Sequence, residues 1–224
     1  MVRNLGALLV PLCIPVCLAA QPVAPAAAVR STPEEQAVVR EMTKIRMFPR
    51  EYAKYLRALG DRFDGKLWRL RDHLPIRTEE GRAAVLEAAE FLETVRPIPG
   101  ALAFSERLHD AARDHVLDQG PSGQTGHVGT DGSQFFQRIR RHGQGGQLLG
   151  EVISYGNETP RMTVIQLVID DGVPDRGHRK NIFNPEFQVA GAAIGYHRGY
   201  GAMTVVDLAD RFDDVPAPPE APRP

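Results

Sequence analysis

Apolar positions along the chain fall into blocks divided by prolines, glycines and capping residues. Thr32-Pro33-Glu34-Glu35 combines a capping hydroxyl, a proline suited to the first helical turn and a glutamate three residues past the cap, so a helix starts there. Pro49 interrupts it, and Arg50 to Leu59 reads as a second short helix ended by Gly60. Asp61 to Pro75 is a connector of weaker pattern holding the single tryptophan, Trp68. Thr78 opens a third helical segment, Glu79 to Val95, in which Ala84, Val85, Ala88, Ala89, Phe91, Leu92 and Val95 recur mainly at helical spacing. Ser105 caps a fourth helix reaching to about Gln119, with Leu108, Ala111, Ala112, His115 and Val116 along one face. A glycine-rich loop follows, and Asp131-Gly132-Ser133 starts a helix that ends near His142.

The second half alternates more quickly. Val152 to Tyr155 is β-branched enough for a strand, and Thr159-Pro160 repeats the cap-and-proline signal ahead of a helix from Arg161 to Asp171. Val164-Ile165 and Leu167-Val168-Ile169 taken alone would equally suit a buried strand. Val189 to His197 and Met203 to Phe212 are two strands joined by a glycine- and tyrosine-bearing hairpin. From Val215 onward, prolines 216, 218, 219, 222 and 224 mark an extended tail outside any core.

The N-terminus changes the setting. Arg3 precedes an apolar run, Leu5 to Ala20, with small residues at Ala19-Ala20 and Ala26-Ala27-Ala28, the pattern of a secretory signal peptide over residues 1–28. The run contains Pro11 and Pro15 and is shorter than the roughly 20 apolar residues of a spanning helix, which argues against a stable transmembrane anchor. The expected location is therefore secreted or periplasmic. Both cysteines, Cys13 and Cys17, lie in this run; lipid anchoring through Cys17 is disfavoured by the bulk of Val16 before it. Once the run is removed the chain has no cysteine, which excludes disulfides, cysteine-bound metals and a cysteine nucleophile. With 27 Lys and Arg against 28 Asp and Glu, the charge balance argues against a nucleic-acid partner.

Candidate chemistry gathers in the second half. His127 and His178 each follow a glycine, Glu151 stands at the entry of the Val152 strand, and Asp170-Asp171 close the helix before Gly172, a C-cap position. Carboxylates at a helix C-terminus face the negative end of the dipole at roughly 0.3–1 kcal/mol each, so a cation should offset them. The offset is a salt bridge to Arg176, Arg179 or Lys180, or a divalent cation or protonated His178. His109 and His115 share no helix face well, and Arg138 to His142 is a basic run complementing a helix C-terminus. Tyr196 and Tyr200 flank the hairpin as candidates for lining a surface groove.

Gly126-His127, Gly150-Glu151-Val152-Ile153-Ser154-Tyr155-Gly156, Leu167-Val168-Ile169-Asp170-Asp171-Gly172 and Arg176-Gly177-His178-Arg179-Lys180-Asn181-Ile182-Phe183-Asn184-Pro185 together resemble the CAP superfamily of cysteine-rich secretory, antigen 5 and pathogenesis-related 1 proteins, in its bacterial, cysteine-poor SCP-like branch. The similarity covers about residues 97 to 212. It implies an α+β fold, a three-layer α-β-α sandwich, here with an N-terminal helical extension: a lead-in over 29–96, a CAP domain over 97–213 and a proline-rich tail over 214–224. It also implies a central cleft of two histidines and two acids able to hold a divalent cation such as zinc. Carried over by motif, these are His127, Glu151, Asp171 and His178, with Asp170, Arg179 and Asn181 supporting the cleft. Two departures stand out: Val152 where the family has asparagine, and Asp171 where eukaryotic members have the longer glutamate.

Two imidazoles and two carboxylates leave three chemistries open. They suit zinc with a water completing the set, a hydrogen-bonded cluster with coupled titration, or acid–base hydrolysis. The leading expectation is a non-catalytic exported protein whose cleft binds a divalent cation and a lipid, peptide or cell-envelope component. The alternatives are a metal-assisted peptide or ester hydrolase in the same cleft, and a structural interaction module. Oligomeric state is not readable.

Overall fold

The computed structural model describes residues 30–69, 76–156 and 159–214. The expected signal peptide and nearly all of the proline-rich tail lie outside the described residues. In chain order the structure has α1 (Pro33–Met47), α2 (Pro49–Gly60), β1 (Phe63–Asp64), β2 (Leu67–Trp68), β3 (Ile76–Arg77), α3 (Arg82–Thr94), β4 (Ala103–Phe104), α4 (Glu106–Ser122), α5 (Phe135–His142), β5 (Leu149–Tyr155), α6 (Pro160–Ile169), α7 (Gly177–Ile182), β6 (Val189–His197) and β7 (Gly201–Ala209).

The helix starts follow their caps. Thr32 accepts from the Glu35 N–H while the Glu35 carboxylate accepts from the Thr32 N–H, a complete capping box. Ser105 accepts from the Leu108 N–H and Thr159 from the Met162 N–H. Three starts or stops differ from expectation. The Thr78 hydroxyl donates to the Lys66 carbonyl instead of capping, and α3 begins after Gly81, whose φ of 71° only glycine adopts freely. α5 begins after Gln134, since the Asp131 carboxylate is spent on the Ser133 N–H. α6 ends at Ile169, not Asp171, because Asp170 takes the left-handed conformation (φ 57°).

The main sheet runs in the order β4-β6-β7-β5, with β4 parallel to β6 and the other neighbours antiparallel. Side chains alternate across it. Val152, Ala190, Ala192, Val206 and Leu208 point to one face and join the core that α1, α2, α3 and α6 share. Ile153, Val189, Ala193, Val205 and Ala209 point to the other and pack under α4 and α5. The result is the three-layer α-β-α sandwich. Gly191 lets α4 approach: a Cβ there would stand 2.1 Å from the His109 nitrogen.

The lead-in is continuous with this core, with α1 seated on α6 and β6 and α2 paired with α3. The connector after α2 is a three-stranded antiparallel meander, β1-β2-β3, in which Phe63 stacks on Trp68 at 5.9 Å. Among the described residues no helix is long and apolar enough to cross a membrane.

Candidate functional site

β5 is an edge strand, and the cleft lies along it. Its pairing with β7 sets Glu151 opposite Asp207, both on the face covered by α4 and α5. His127 arrives on the loop after α4, and its Nδ1 donates to Glu151 Oε1 at 2.8 Å. Arg138 on α5 donates to Glu151 Oε2 at 2.7 Å, to the His127 carbonyl at 3.1 Å and to the Ser133 carbonyl at 3.0 Å. Expected as a dipole complement, Arg138 is instead buried inside the molecule. Asp207 is fully buried and neither of its oxygens receives a hydrogen bond. Burial first, then the adjacent Glu151 carboxylate, push its pKa well above the usual carboxylate range, partly opposed by Arg138.

The loop that carries His127 is pinned along its length. His115 and His197, both fully buried, bond through Nε2 to the Gly126 and Gln124 carbonyls at 2.8 Å each. Gln119 donates to the Val128 carbonyl, and the Tyr155 hydroxyl accepts from the Gly126 N–H. Burial holds the His115 pKa below its ordinary value, favouring the neutral ring.

His178 is built differently. It sits in the first turn of α7, and its Nδ1 donates to Asp170 Oδ1 at 2.6 Å. Asp170 Oδ2 accepts from the backbone N–H groups of His178 and Arg179. The left-handed backbone at Asp170 thus swings its carboxylate off the end of α6 onto the start of α7, where the dipole favours it. The arginines expected to offset it pair elsewhere: Arg176 with Glu80, Arg179 with Glu87. Arg179 also donates to the Val168 and Ile169 carbonyls, locking α7 to α6. Asp171 takes no part in the imidazole pair. Its two oxygens accept from the Glu79 and Glu80 N–H groups.

The two rings face one another, centroids 6.2 Å apart and tilted by 44°. Asn181 donates to the Glu151 carbonyl at 3.4 Å, tying α7 to β5 between them. With this geometry in place, the model of the cysteine-rich secretory protein family, CAP, matches residues 100–208. Residues 100–208 form a CAP domain. Among solved structures it is similar to an outer surface protein from Borrelia burgdorferi, at 20% identity and a TM-score of 0.42, covering 50% of this chain and 79% of that one. It is also similar to an extracellular protein containing a SCP domain from Bacillus anthracis str. Ames, at 20% identity and a TM-score of 0.41, covering 56% of this chain and 38% of that one. No curated protein matches.

The CAP cleft of this chain is thus two carboxylate–imidazole pairs rather than one four-residue cluster. Among the described residues no three His, Cys, Asp or Glu side chains converge as metal ligands would. The donor chemistry still suits a cation held by two imidazoles: each Nδ1 is spoken for by a buried carboxylate, which orients the ring and leaves Nε2. Glu151 and Asp170 act from behind. Sequence reading missed Arg138 and Asp207 as parts of the CAP cleft. The one available signal was Asp207 itself, an acid inside the apolar run Met203 to Ala209.

Proposed function

We propose that this is an exported CAP protein, as its leader-like residues 1–28 suggest, whose cleft binds a divalent cation, zinc first, through Nε2 of His127 and His178. The reading is carried by one observation: both rings are held by carboxylates at Nδ1 while facing the same space. The cation would supply a Lewis-acidic contact for a ligand from the cell envelope. The chain's own part is to fix the rings and leave positions for water or ligand. Calorimetry with zinc on the purified protein tests this. Binding should be lost in His127→Ala and His178→Ala, weakened in Glu151→Gln and retained in Asp171→Asn. Zinc heats that survive both histidine variants, or no heat in the parent protein, overturn it.

The same pairs support a second reading. A carboxylate-backed imidazole is the arrangement of a general base, so the cleft would activate water for hydrolysis of a peptide or ester. Turnover of a peptide or ester panel that disappears in Glu151→Gln and Asp170→Asn would favour it over simple binding.

A further inference from the structure

A second groove opens at the sheet edge opposite the imidazoles. β4 pairs with β6 at Val189 and Ala190 alone, so among the described residues the far half of β6 has no strand beside it on that edge. α4 closes against it instead. Gly195 makes this possible, since a Cβ there would stand 2.3 Å from Val116 Cγ1. Between the two elements lies a cavity of about 230 Å³, in which Val116, Leu117 and Pro121 of α4 face Ile194 and Tyr196 of β6. That volume falls below the roughly 300–1,000 Å³ of small-molecule pockets, so it suits one anchoring side chain of a partner better than a whole ligand.

Its mouth is apolar and uncovered, with Leu117 57% exposed and Tyr196 65% exposed. Tyr200, the other hairpin tyrosine, packs against Tyr155 and His197 and takes no part. The charge around the groove is one-sided. Arg30 and Arg113 both line it, and neither has a carboxylate partner among the described residues. Glu35 is the single acid of its lining, but it is buried and both oxygens are occupied: Oε1 accepts from the Ile194 N–H, Oε2 from the Thr32 N–H and hydroxyl. Arg30, Thr32 and Glu35 precede the stretch that matches the CAP model, so the lead-in of this chain completes the groove.

We propose that this groove docks an extended acidic segment of a partner protein, one bulky apolar side chain filling the cavity and neighbouring carboxylates pairing with Arg30 and Arg113. The apolar anchor gains by leaving water between Leu117 and Tyr196. The carboxylates meet two guanidinium forks that nothing in the protein neutralises. A basic segment with the same anchor would bring like charges together and be rejected.

The full chain, isotope-labelled and with chelator present, is titrated with the capped peptide Gly-Asp-Phe-Asp-Glu-Gly while backbone amide shifts are followed. Two control peptides replace the phenylalanine by alanine or the three acids by lysine. Saturable shifts are expected at residues 113–121 and 194–196, with a dissociation constant below about 1 mM and both controls weaker by about tenfold or more. Arg113→Gln should weaken the acidic peptide about threefold to fivefold, the size of one exposed ion pair, and added salt should act in the same direction. Leu117→Gln, at an exposed position that leaves the fold intact, should weaken the phenylalanine peptide about fivefold or more and leave the alanine control unchanged. No saturable shift, shifts confined to other residues, equal affinity for the lysine control, or phenylalanine-peptide binding untouched by Leu117→Gln each overturns the proposal. A concentration-dependent dimer in sedimentation that Leu117→Gln dissolves would assign the groove to a second copy of the chain and overturn it too. The cleft histidines are unaltered and zinc is excluded, so failure here and failure of the cation reading are separate results.

Discussion

The two histidines of the cleft have the same carboxylate contact and opposite foundations. His127 stands on a loop without helical structure, 44% exposed at its side chain, and depends on a buried polar frame assembled from α4, α5, β5, β6 and β7. His178 is half as exposed and depends on backbone: a left-handed Asp170 joining the end of α6 to the first turn of α7. One half is held by long-range side-chain bonds, the other by a local turn. Damage to the first should therefore spread through the fold, and damage to the second should remain near its source.

Arg138→Met gives the largest effect. It removes the cation from a buried carboxyl pair and three hydrogen bonds at once, so a loss of about 3–5 kcal/mol in urea unfolding is expected. Amide exchange should quicken at residues 126–130 and stay unchanged around α7. Asp170→Ala comes next, at about 2–4 kcal/mol, from unsatisfied N–H groups at α7 plus a left-handed backbone that alanine resists. Asp170→Gly should recover about 1 kcal/mol of that, since only the carboxylate is then missing. If Asp170→Ala loosened residues 126–130 as much as Arg138→Met does, the two halves would be one unit and the contrast would fail.

Legibility follows the same division. Caps at Thr32, Ser105 and Thr159 were readable because a capping bond spans three residues. The meander was not, since two-residue strands are too short to show a period. Of the two adjacent acids, motif position pointed to Asp171, while the ring contact belongs to Asp170. The difference is two residues of helix length, decided by a left-handed backbone that Asp tolerates and sequence does not announce. Arg138 and Asp207 reach Glu151 only through the placement of α5 and the β5–β7 register, so no local pattern could assign them.

Asp207→Asn sharpens the His127 half through pH. An acid with a raised folded-state pKa contributes its stability below the unfolded value of about 3.9 and loses it as pH rises toward the folded value. The asparagine variant stays neutral throughout. Its melting temperature should therefore match the parent's near pH 4 and exceed it by several degrees near pH 8. Equal melting temperatures at both ends would mean that Asp207 ionises freely, and the raised pKa of the acid behind His127 would have to be given up.

The smallest effect belongs to the rim of the other half. Arg176 pins Glu80 through two bonds, and the Gly172 N–H adds a third; that contact, led by Arg176, lowers the Glu80 pKa to about 2. Glu80 is largely solvated, so Glu80→Gln should cost only about 0.2–1 kcal/mol, reduced further by salt. A depressed carboxylate contributes stability above its unfolded pKa and loses it as pH falls through the folded one, so the parent–variant gap should close toward pH 2. Zinc affinity and the His178 ring environment should not move, because Asp170 is held by the α7 backbone and not by this ion pair. A shift in His178 chemical shifts in the glutamine variant would show that the turn leans on the 79–80 segment after all, and the His178 half would then be no more local than its partner.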